Sequence, residues 1–106
     1  MPEPGGNPFT QPDSATSTTV EHGWKVILFN DEVTPFELVI LALQKVCALS
    51  EEVAEMVAME AHEQDSAVAR SGLTQDEAEA HCVKMKALTR IPRLCPGVKC
   101  AAEQDV

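Results

Sequence analysis

Two places in this chain carry side chains that together could bind an amine. Asn30 and Asp31 directly follow an alternating, largely apolar stretch, and His62 stands near the end of a later segment rich in methionine and alanine. An amide oxygen, a carboxylate and an imidazole offer acceptors to the three N–H donors of a primary ammonium, and the carboxylate also offers the opposite charge. These residue types point to a site for a primary ammonium, if the fold brings the two places together.

Each of these residues also has an ordinary structural explanation. His62 could cap the end of its helix, where a cationic imidazole is favoured, while Asn30 and Asp31 could simply stabilise their own turn. The residues alone leave both interpretations open. Catalysis is not indicated, because no serine or cysteine lies in an elbow-like turn near His62 and the chain has no glycine-rich phosphate loop. We therefore predict that the protein is not an enzyme.

The elements next to these residues must position them. Residues 24–30 alternate with apolar side chains on both sides, which predicts a central strand covered by helices on at least one face. After it, Thr34 is predicted to be a helix N-cap, Pro35 the first helical residue, and Glu37 the acid that returns to the cap. This arrangement would hold Asn30 at the mouth of a sharp turn.

Two further helices are predicted from their capping residues. Ser50 should cap a second helix that reaches His62 or slightly beyond, and Thr74 should open a third helix through a capping box. A short strand over residues 65–70 would separate them, and an edge strand over residues 98–101 would follow the third helix. On the second helix, four apolar residues can pack inward: Val53, Met56, Val57 and Met59.

This order of elements, β-α-α-β-α-β, predicts a small single-domain α+β fold with helices packed on one face of a short antiparallel sheet. Residues 1–22 are rich in Pro, Gly, Ser and Thr and are assigned to a flexible N-terminal extension. The folded domain is assigned to residues 23–102, and residues 103–106 to a disordered tail.

A hairpin of the first two helices would bring His62 towards Asn30 and Asp31. Ala58 and Ala61 share a helix face with His62 and would leave a hollow beside the imidazole. The expected result is a small apolar pit whose rim carries an amide, a carboxylate and an imidazole.

Composition restricts the class of partner. The chain has 106 residues and a hydrophobic content of 44%, which is enough for one small aliphatic core. Its formal net charge is −9. Because an acidic surface repels phosphate backbones, nucleic acid is not expected as a partner. The chain contains no apolar run of the roughly 18 residues that a membrane span needs, and residues 1–6 do not resemble a signal peptide. We predict a cytoplasmic protein without membrane contact, and a monomer.

The four cysteines raise the questions of zinc and of disulfides. A zinc site from His81, Cys82, Cys95 and Cys100 can be drawn. However, neighbouring residues on a helix point about 100° apart, and the Cys-x4-Cys spacing is looser than in the usual structural knuckle. A disulfide between Cys95 and Cys100 is not expected in a reducing cytosol, and Cys47 fits the apolar face of a helix. We predict reduced cysteines and no metal or other cofactor.

The residues around the turn resemble those of the ClpS family, adaptors that deliver N-degron substrates to the Clp AAA+ protease. The resemblance rests on the stretch Val26 to Glu37, with its Asn-acid-acid-x-Thr-Pro motif, and on Ser50-Glu51-Glu52 followed by a Met/Ala helix ending in His62. The segment Thr74 to Glu79 is similar to the last helix of the family. The match covers about residues 24–87.

The resemblance implies a binding module for the first residue of a substrate. It implies that Asn30, Asp31 and His62 hold the free α-amine, and that a bulky hydrophobic first side chain (Leu, Phe, Tyr or Trp) enters an apolar pocket. The matching pocket positions are Thr34, Phe36, Val39, Ala58 and Ala61, with either Leu94 or Val98 as a further wall. It also implies that Asp76 and His81 dock on the N-terminal domain of a Clp unfoldase, which engages the N-terminal extension.

Among the departures from the family pattern, three concern the pocket. Phe36 stands where methionine is common, and Ala58 and Ala61 stand where larger apolar residues are common. We hypothesise that these changes compensate, because the Phe36 ring can fill volume that the alanines vacate. If Phe36 instead blocks the pocket, the chain would be an unfoldase-docking modulator that has lost recognition of N-terminal residues.

Overall fold

The computed structural model describes residues 22–105, so nearly all of the predicted N-terminal extension lies outside the described residues. The elements are β1 (Trp24–Phe29), α1 (Phe36–Cys47), α2 (Glu51–Gln64), β2 (Ser66–Leu73), α3 (Gln75–Thr89) and β3 (Cys100–Gln104). The three strands form one antiparallel sheet in the order β2-β1-β3. The predicted α+β fold and its order of elements are confirmed.

Strand β1 is the central strand, as its alternation predicted. Val26 and Leu28 are completely buried, at 0% and 1% exposure, while Lys25, Ile27 and Phe29 are half-buried on the other face of the sheet. Because β1 is hydrogen-bonded on both sides and covered by helices on one, its position is rigidly defined. The residue that follows it, Asn30, therefore leaves the sheet at a defined point.

Helix α2 packs through small residues rather than through its long apolar side chains. Ala54, Val57, Ala58 and Ala61 are its buried residues. The prediction that Val53, Met56 and Met59 pack inward is wrong, because these three side chains are 43%, 68% and 44% exposed. The alanines recur at helical spacing and form a narrow stripe that brings the α2 backbone close to the core, so the longer side chains on other faces remain outside.

Two of the predicted helix caps are confirmed. The Ser50 hydroxyl accepts a hydrogen bond from the Val53 N–H at 3.2 Å. Thr74 and Glu77 form a reciprocal capping box, in which the Thr74 hydroxyl accepts from the Glu77 N–H and the Glu77 carboxylate accepts from the Thr74 N–H. Both caps use side chains and backbone groups within three residues, which explains why local sequence was sufficient to predict them.

The C-terminal strand lies later in the chain than predicted. It comprises Cys100–Gln104 rather than residues 98–101, so residues 103 and 104 belong to the sheet and not to a disordered tail. Strand β3 extends this far because it pairs with β1 up to the first residue of β1, where Trp24 pairs with Gln104. The Asp105 N–H continues the contact by donating to the Gly23 carbonyl at 2.7 Å.

Among the described residues, none of the helices has both the length and the hydropathy needed to cross a bilayer.

Candidate functional site

A pocket of about 40 Å³ opens between the turn that follows β1 and the last two turns of α2. Because one water needs roughly 10–15 Å³ of cavity volume, the pocket has room for about three waters. Eleven residues line it: Leu28, Phe29, Asn30, Asp31, Thr34, Phe36, Val39, Ala58, Ala61, His62 and Val98. The fold thus brings together all eight residues that the sequence placed at the amine site and its apolar pocket.

The turn is organised by Asp31 rather than by a Thr34 cap. Asp31 Oδ1 accepts hydrogen bonds from the Val33 N–H at 2.8 Å and the Thr34 N–H at 3.3 Å, and the Thr34 hydroxyl donates to Asp31 Oδ2. The prediction of Thr34 as N-cap and Pro35 as first helical residue is wrong. Helix α1 begins at Phe36. Its N-cap residue is Pro35, with ψ at 136°, and no described side chain, that of Glu37 included, forms a capping hydrogen bond there.

These contacts leave Asp31 ionised. Burial raises the pKa of its carboxyl, but the hydrogen bonds from the Thr34 hydroxyl and from the Val33 and Thr34 N–H groups, together with the positive charge of Lys99, outweigh that effect and lower the pKa below its ordinary value. Asp31 is therefore a carboxylate at neutral and mildly acidic pH. Its negative charge lies at the rim of the pocket, where it can attract a cation.

Asn30 is oriented by the same turn. Its backbone N–H donates to the Asp65 carbonyl at 2.9 Å, which ties the end of β1 to the end of α2. Its side-chain Nδ2 donates to Glu32 Oε2 at 3.0 Å. Since the amide nitrogen is engaged in this way, the amide oxygen is the group that can accept a hydrogen bond from a ligand.

Helix α2 provides the opposite side of the pocket. Ala58 and Ala61 are buried, and His62 is exposed in the last turn of the helix. Because an alanine side chain ends at Cβ, the two alanines leave space where a longer side chain would fill it. His62 thus borders a hollow, as the sequence predicted, and faces the same pocket as Asn30 and Asp31.

Phe36 lies at the mouth of this hollow. It is the first residue of α1, is 39% exposed, and lines the same pocket as Ala58 and Ala61. Val39, one turn later on α1, is buried behind it. Phe36, Ala58 and Ala61 thus line one pocket.

Val98 forms the last wall, and Leu94 does not. Val98 is buried at 1% exposure and lines the pocket, whereas Leu94 is 69% exposed and lies in a different surface depression. This resolves the position of the C-terminal wall that the sequence left open.

Thr89 positions Val98, and sequence reasoning missed it. The Thr89 hydroxyl is completely buried, donates to the Met85 carbonyl at 2.7 Å, and accepts from the Val98 N–H at 2.9 Å. The Cys95 thiol also donates to the Thr89 carbonyl, at 3.1 Å. The irregular segment between α3 and β3 is therefore attached to the end of α3 at Thr89. A threonine in the last turn of a helix was the available signal, but its partner nine residues later could not be predicted from it.

Replacing Thr89 with valine tests this attachment. The shape of the side chain is kept, but the buried Val98 N–H loses its acceptor, so we expect the free energy of unfolding to fall by about 1–3 kcal/mol. Chemical denaturation measures the change. Thr89→Ser is the matched control, because it keeps the hydroxyl and should lose clearly less stability. Equal stabilities of the valine variant and the unchanged chain would contradict the role given to Thr89.

The remaining predicted residues lie away from the pocket. Asp76 is exposed in the first turn of α3, and His81 is half-buried on the same helix. His81 Nδ1 is a buried atom without a hydrogen-bond partner among the described residues. Neither residue lines the pocket, so the structure places them on a separate surface.

All four cysteines are free thiols, and burial raises the pKa of Cys47 to about 11 and that of Cys100 to about 12. Thiols with such values are protonated at neutral pH. Within the described residues, no group of three or more His, Cys, Asp and Glu side chains is placed to hold a metal ion.

Three comparisons with known proteins agree with this architecture. Residues 20–93 match the family model described as ATP-dependent Clp protease adaptor protein ClpS. A ClpS adapter protein from Deinococcus radiodurans is 31% identical over 84 residues, which are 79% of this chain and 74% of the relative. The structure of Agrobacterium tumefaciens ClpS2 bound to L-phenylalaninamide is similar with a TM-score of 0.69 and 31% identity, covering 76% of this chain and 94% of that one.

The family match and the relative place this chain among the adaptor proteins of protein degradation. The chain is a member of the ClpS family, the adaptors of the ATP-dependent Clp protease.

Proposed function

We propose that this chain is an N-degron adaptor. It binds the free first residue of a substrate, when that residue has a bulky hydrophobic side chain such as Leu, Phe, Tyr or Trp, and delivers the substrate to a Clp AAA+ unfoldase and protease in the cytoplasm. The observation that carries the proposal is the position of Asn30, Asp31 and His62 on the rim of one apolar pit.

The rim accounts for recognition of the α-amine. At neutral pH a free N-terminus is mostly an ammonium with three donors, since its pKa is about 7.7–8.0. The Asp31 carboxylate supplies the opposite charge, and the Asn30 amide oxygen and the His62 imidazole supply further acceptors. A side-chain amine of lysine has the same donors, but its long stem would hold it away from the hollow.

The pit accounts for recognition of the first side chain. Its deeper walls are apolar and come from three elements and the segment before β3, through Leu28, Val39, Ala58, Ala61 and Val98. The ligand of the similar ClpS2 structure, L-phenylalaninamide, supports this assignment, because it carries a free α-amine and a benzyl group on the same carbon. A site with a charged rim next to an apolar pit matches that chemistry.

Affinity in the micromolar range is expected from these contacts. Burial of one Leu or Phe side chain contributes roughly 1.5–3 kcal/mol, and each charge-assisted hydrogen bond to the ammonium roughly 1.5–3 kcal/mol before the orientation cost. With three such bonds the contributions total roughly 6–12 kcal/mol; after the orientation cost, about 8 kcal/mol remains, which corresponds to a Kd near 1 μM. Binding of this strength holds a substrate and still permits its release to a protease.

Delivery needs a second surface. We propose that Asp76 and His81 dock on the N-terminal domain of the unfoldase, and that the unfoldase engages residues 1–22. Both docking residues lie on α3, away from the pocket, so one monomer could hold the substrate and the unfoldase together.

A panel of labelled peptides that differ only in the first residue tests the proposal. With a free amine in every peptide, fluorescence anisotropy should give Kd values about tenfold to a hundredfold lower for Phe or Leu than for Ser or Glu at that position. Asn30→Ala and His62→Ala should each weaken binding of the Phe peptide. Equal binding of all first residues would contradict the proposal, and intact binding to a Clp unfoldase in that case would support a docking modulator without N-terminal recognition.

A further inference from the structure

The basic residues of this chain are concentrated in one segment. Residues 80–102 contain five of the eight Lys and Arg side chains and no Asp or Glu, which gives the segment a formal charge of +5. The rest of the chain, with three basic and seventeen acidic residues, carries −14. Because the two signs are so strongly separated, this protein has one region that can attract an acidic partner.

Three of these basic side chains line a surface depression at the end of α3. The depression has a volume of about 460 Å³, and its charged residues are Lys86, Arg90 and Arg93. All three are exposed, and no ion pair joins any of them to another residue of the described range 22–105. The other lining residues carry no charge and include Leu94, which is 69% exposed. We call this depression the basic turn site.

A tight turn in this site holds Arg93 in an unusual backbone conformation. The Leu94 N–H donates to the Ile91 carbonyl at 3.0 Å, which closes a four-residue turn. Pro92 is the second residue of the turn, and Arg93, with φ at 70°, is the third. These are features of a type II turn, whose third position favours Gly or Asn because other residues are strained there. An arginine at a strained position indicates a role for its side chain.

The turn is also firmly attached to the rest of the fold. The Ile91 N–H donates to the Cys95 carbonyl and the Cys95 N–H donates to the Ile91 carbonyl, each at 2.9 Å. The Cys95 thiol donates to the Thr89 carbonyl at the end of α3. Pro92 and Pro96 restrict the backbone further, because the proline ring fixes φ. A partner that binds here therefore orders little backbone, which lowers the entropic cost of binding.

We propose that the basic turn site binds an acidic peptide segment of a partner protein, with carboxylates paired to Arg90 and Arg93 and one apolar side chain packed on Leu94. Guanidinium groups suit this ligand because they bind carboxylates through two parallel hydrogen bonds. The site shares no lining residue with the amine pocket, so the inference goes beyond the proposed function and does not depend on it.

A short peptide suits the site better than a nucleic acid does. The rest of the chain carries a charge of −14, so a long phosphate backbone that extends beyond the site is repelled. A short segment can keep its charges near the basic side chains, within the Debye length of about 8 Å at physiological salt. A phosphate backbone also offers no aliphatic group to the exposed Leu94 side chain.

Three labelled peptides test the site by fluorescence anisotropy. Their sequences contain Glu-Glu-Leu-Glu, Gln-Gln-Leu-Gln or Glu-Glu-Ser-Glu, and each is acetylated and amidated, so none offers a free α-amine to the other pocket. Exposed ion pairs are individually weak, but several act together here, so we expect the first peptide to bind about tenfold more tightly than the second. It should bind about threefold or more tightly than the third, which lacks the apolar side chain. The preference for glutamate should shrink at about 0.5 M salt.

A matched pair of variants separates the site from the overall net charge. Arg90→Gln with Arg93→Gln should weaken binding of the Glu-Glu-Leu-Glu peptide by about tenfold. The control, Lys45→Glu, makes the same change in net charge at an exposed position on α1 and should weaken it by less than about twofold. Leu94→Ser should remove the preference for leucine over serine in the peptide.

The single variant Arg93→Gly distinguishes a binding role from a structural one. Glycine adopts a positive φ without strain, so this variant should be at least as stable in chemical denaturation as the unchanged chain. It should nevertheless bind the Glu-Glu-Leu-Glu peptide more weakly, because the guanidinium is gone. A fall in stability together with unchanged peptide affinity would assign Arg93 to the fold alone and contradict the inference.

Four further results would overturn the inference. The first is equal affinity for the glutamate and glutamine peptides, and the second is an equal loss in the arginine double variant and in Lys45→Glu. The third is tighter binding of a labelled oligothymidine strand than of the glutamate peptide, because the site would then recognise a nucleic acid. The fourth is a dimer in sedimentation velocity that the arginine double variant abolishes, because the occupant would then be a second copy of this chain.

Discussion

Acetylation of the N-terminus of a Phe-initiated peptide should weaken its binding by more than about a hundredfold. The acetylated nitrogen has no charge and retains one of its three donors, and the added carbonyl faces acceptors on the rim. Loss of two charge-assisted hydrogen bonds, at roughly 1.5–3 kcal/mol each, corresponds to at least this factor. Isothermal titration with the free and acetylated forms of one peptide measures the change.

Asp31→Asn reproduces part of this loss from the protein side. The asparagine oxygen can still accept from the Val33 and Thr34 N–H groups, and its amide nitrogen can donate to the Thr34 hydroxyl, so the turn is kept while the charge is removed. We expect the free peptide to bind about tenfold or more weakly to this variant, and the acetylated peptide to be unaffected. Glu32→Gln removes the same charge one residue later and should have little effect. Equal losses in both variants, or equal binding of both peptides to the unchanged chain, would contradict the amine site.

Replacing Ala58 with methionine should weaken binding of the Phe peptide by about tenfold or more, and adding Phe36→Met should restore most of it. Ala58 and Phe36 line the same narrow pocket, so a larger residue at position 58 competes with the Phe36 ring for space that the ligand also needs. Overpacking costs about 1–3 kcal/mol, and substitutions at two residues that line one pocket are expected to be non-additive. A double-mutant cycle on Kd measures the coupling.

The cycle decides between the two roles considered for Phe36. If the ring compensates for the small residues, Phe36→Met alone should change binding only moderately and should rescue Ala58→Met. If the ring blocks the pocket, the unchanged chain should bind poorly, and Phe36→Met alone should create affinity for the Phe peptide. Ala80→Met on the exposed surface of α3 is the control for the substitution itself, and denaturation of each variant reports whether the fold is retained.

The locally encoded features of this protein followed from its sequence. The alternation of residues 24–29 predicted the central strand, and Ser50 and Thr74 predicted the starts of two helices, because capping uses groups within a few residues. Asn30 and Asp31 could be assigned to a turn because they follow the strand directly. The expected hairpin of the first two helices, and then the resemblance to a family, related these residues to His62, across 31 positions that local physics does not connect.

Other features depended on the tertiary structure. Helix α2 offers one stripe of alanines and another of methionines, and both have helical spacing, so periodicity could not say which is buried. In the structure α2 lies close to the core, so the small alanine side chains are buried and Met56 and Met59 are exposed. In the turn, three hydrogen bonds to Asp31 replaced the expected cap at Thr34, because the helix starts one residue later than predicted.

The choice of Val98 over Leu94 was also decided by tertiary contacts. Thr89 binds the Val98 N–H, and Gly97, with φ at 101°, lies so close to α3 that a Cβ atom there would be 2.5 Å from the Lys86 carbonyl oxygen. These contacts turn Val98 into the pocket and leave Leu94 in solvent. The sequence thus determined which residues surround the turn at Asn30 and Asp31, while contacts between distant segments determined the walls of the pocket beside it.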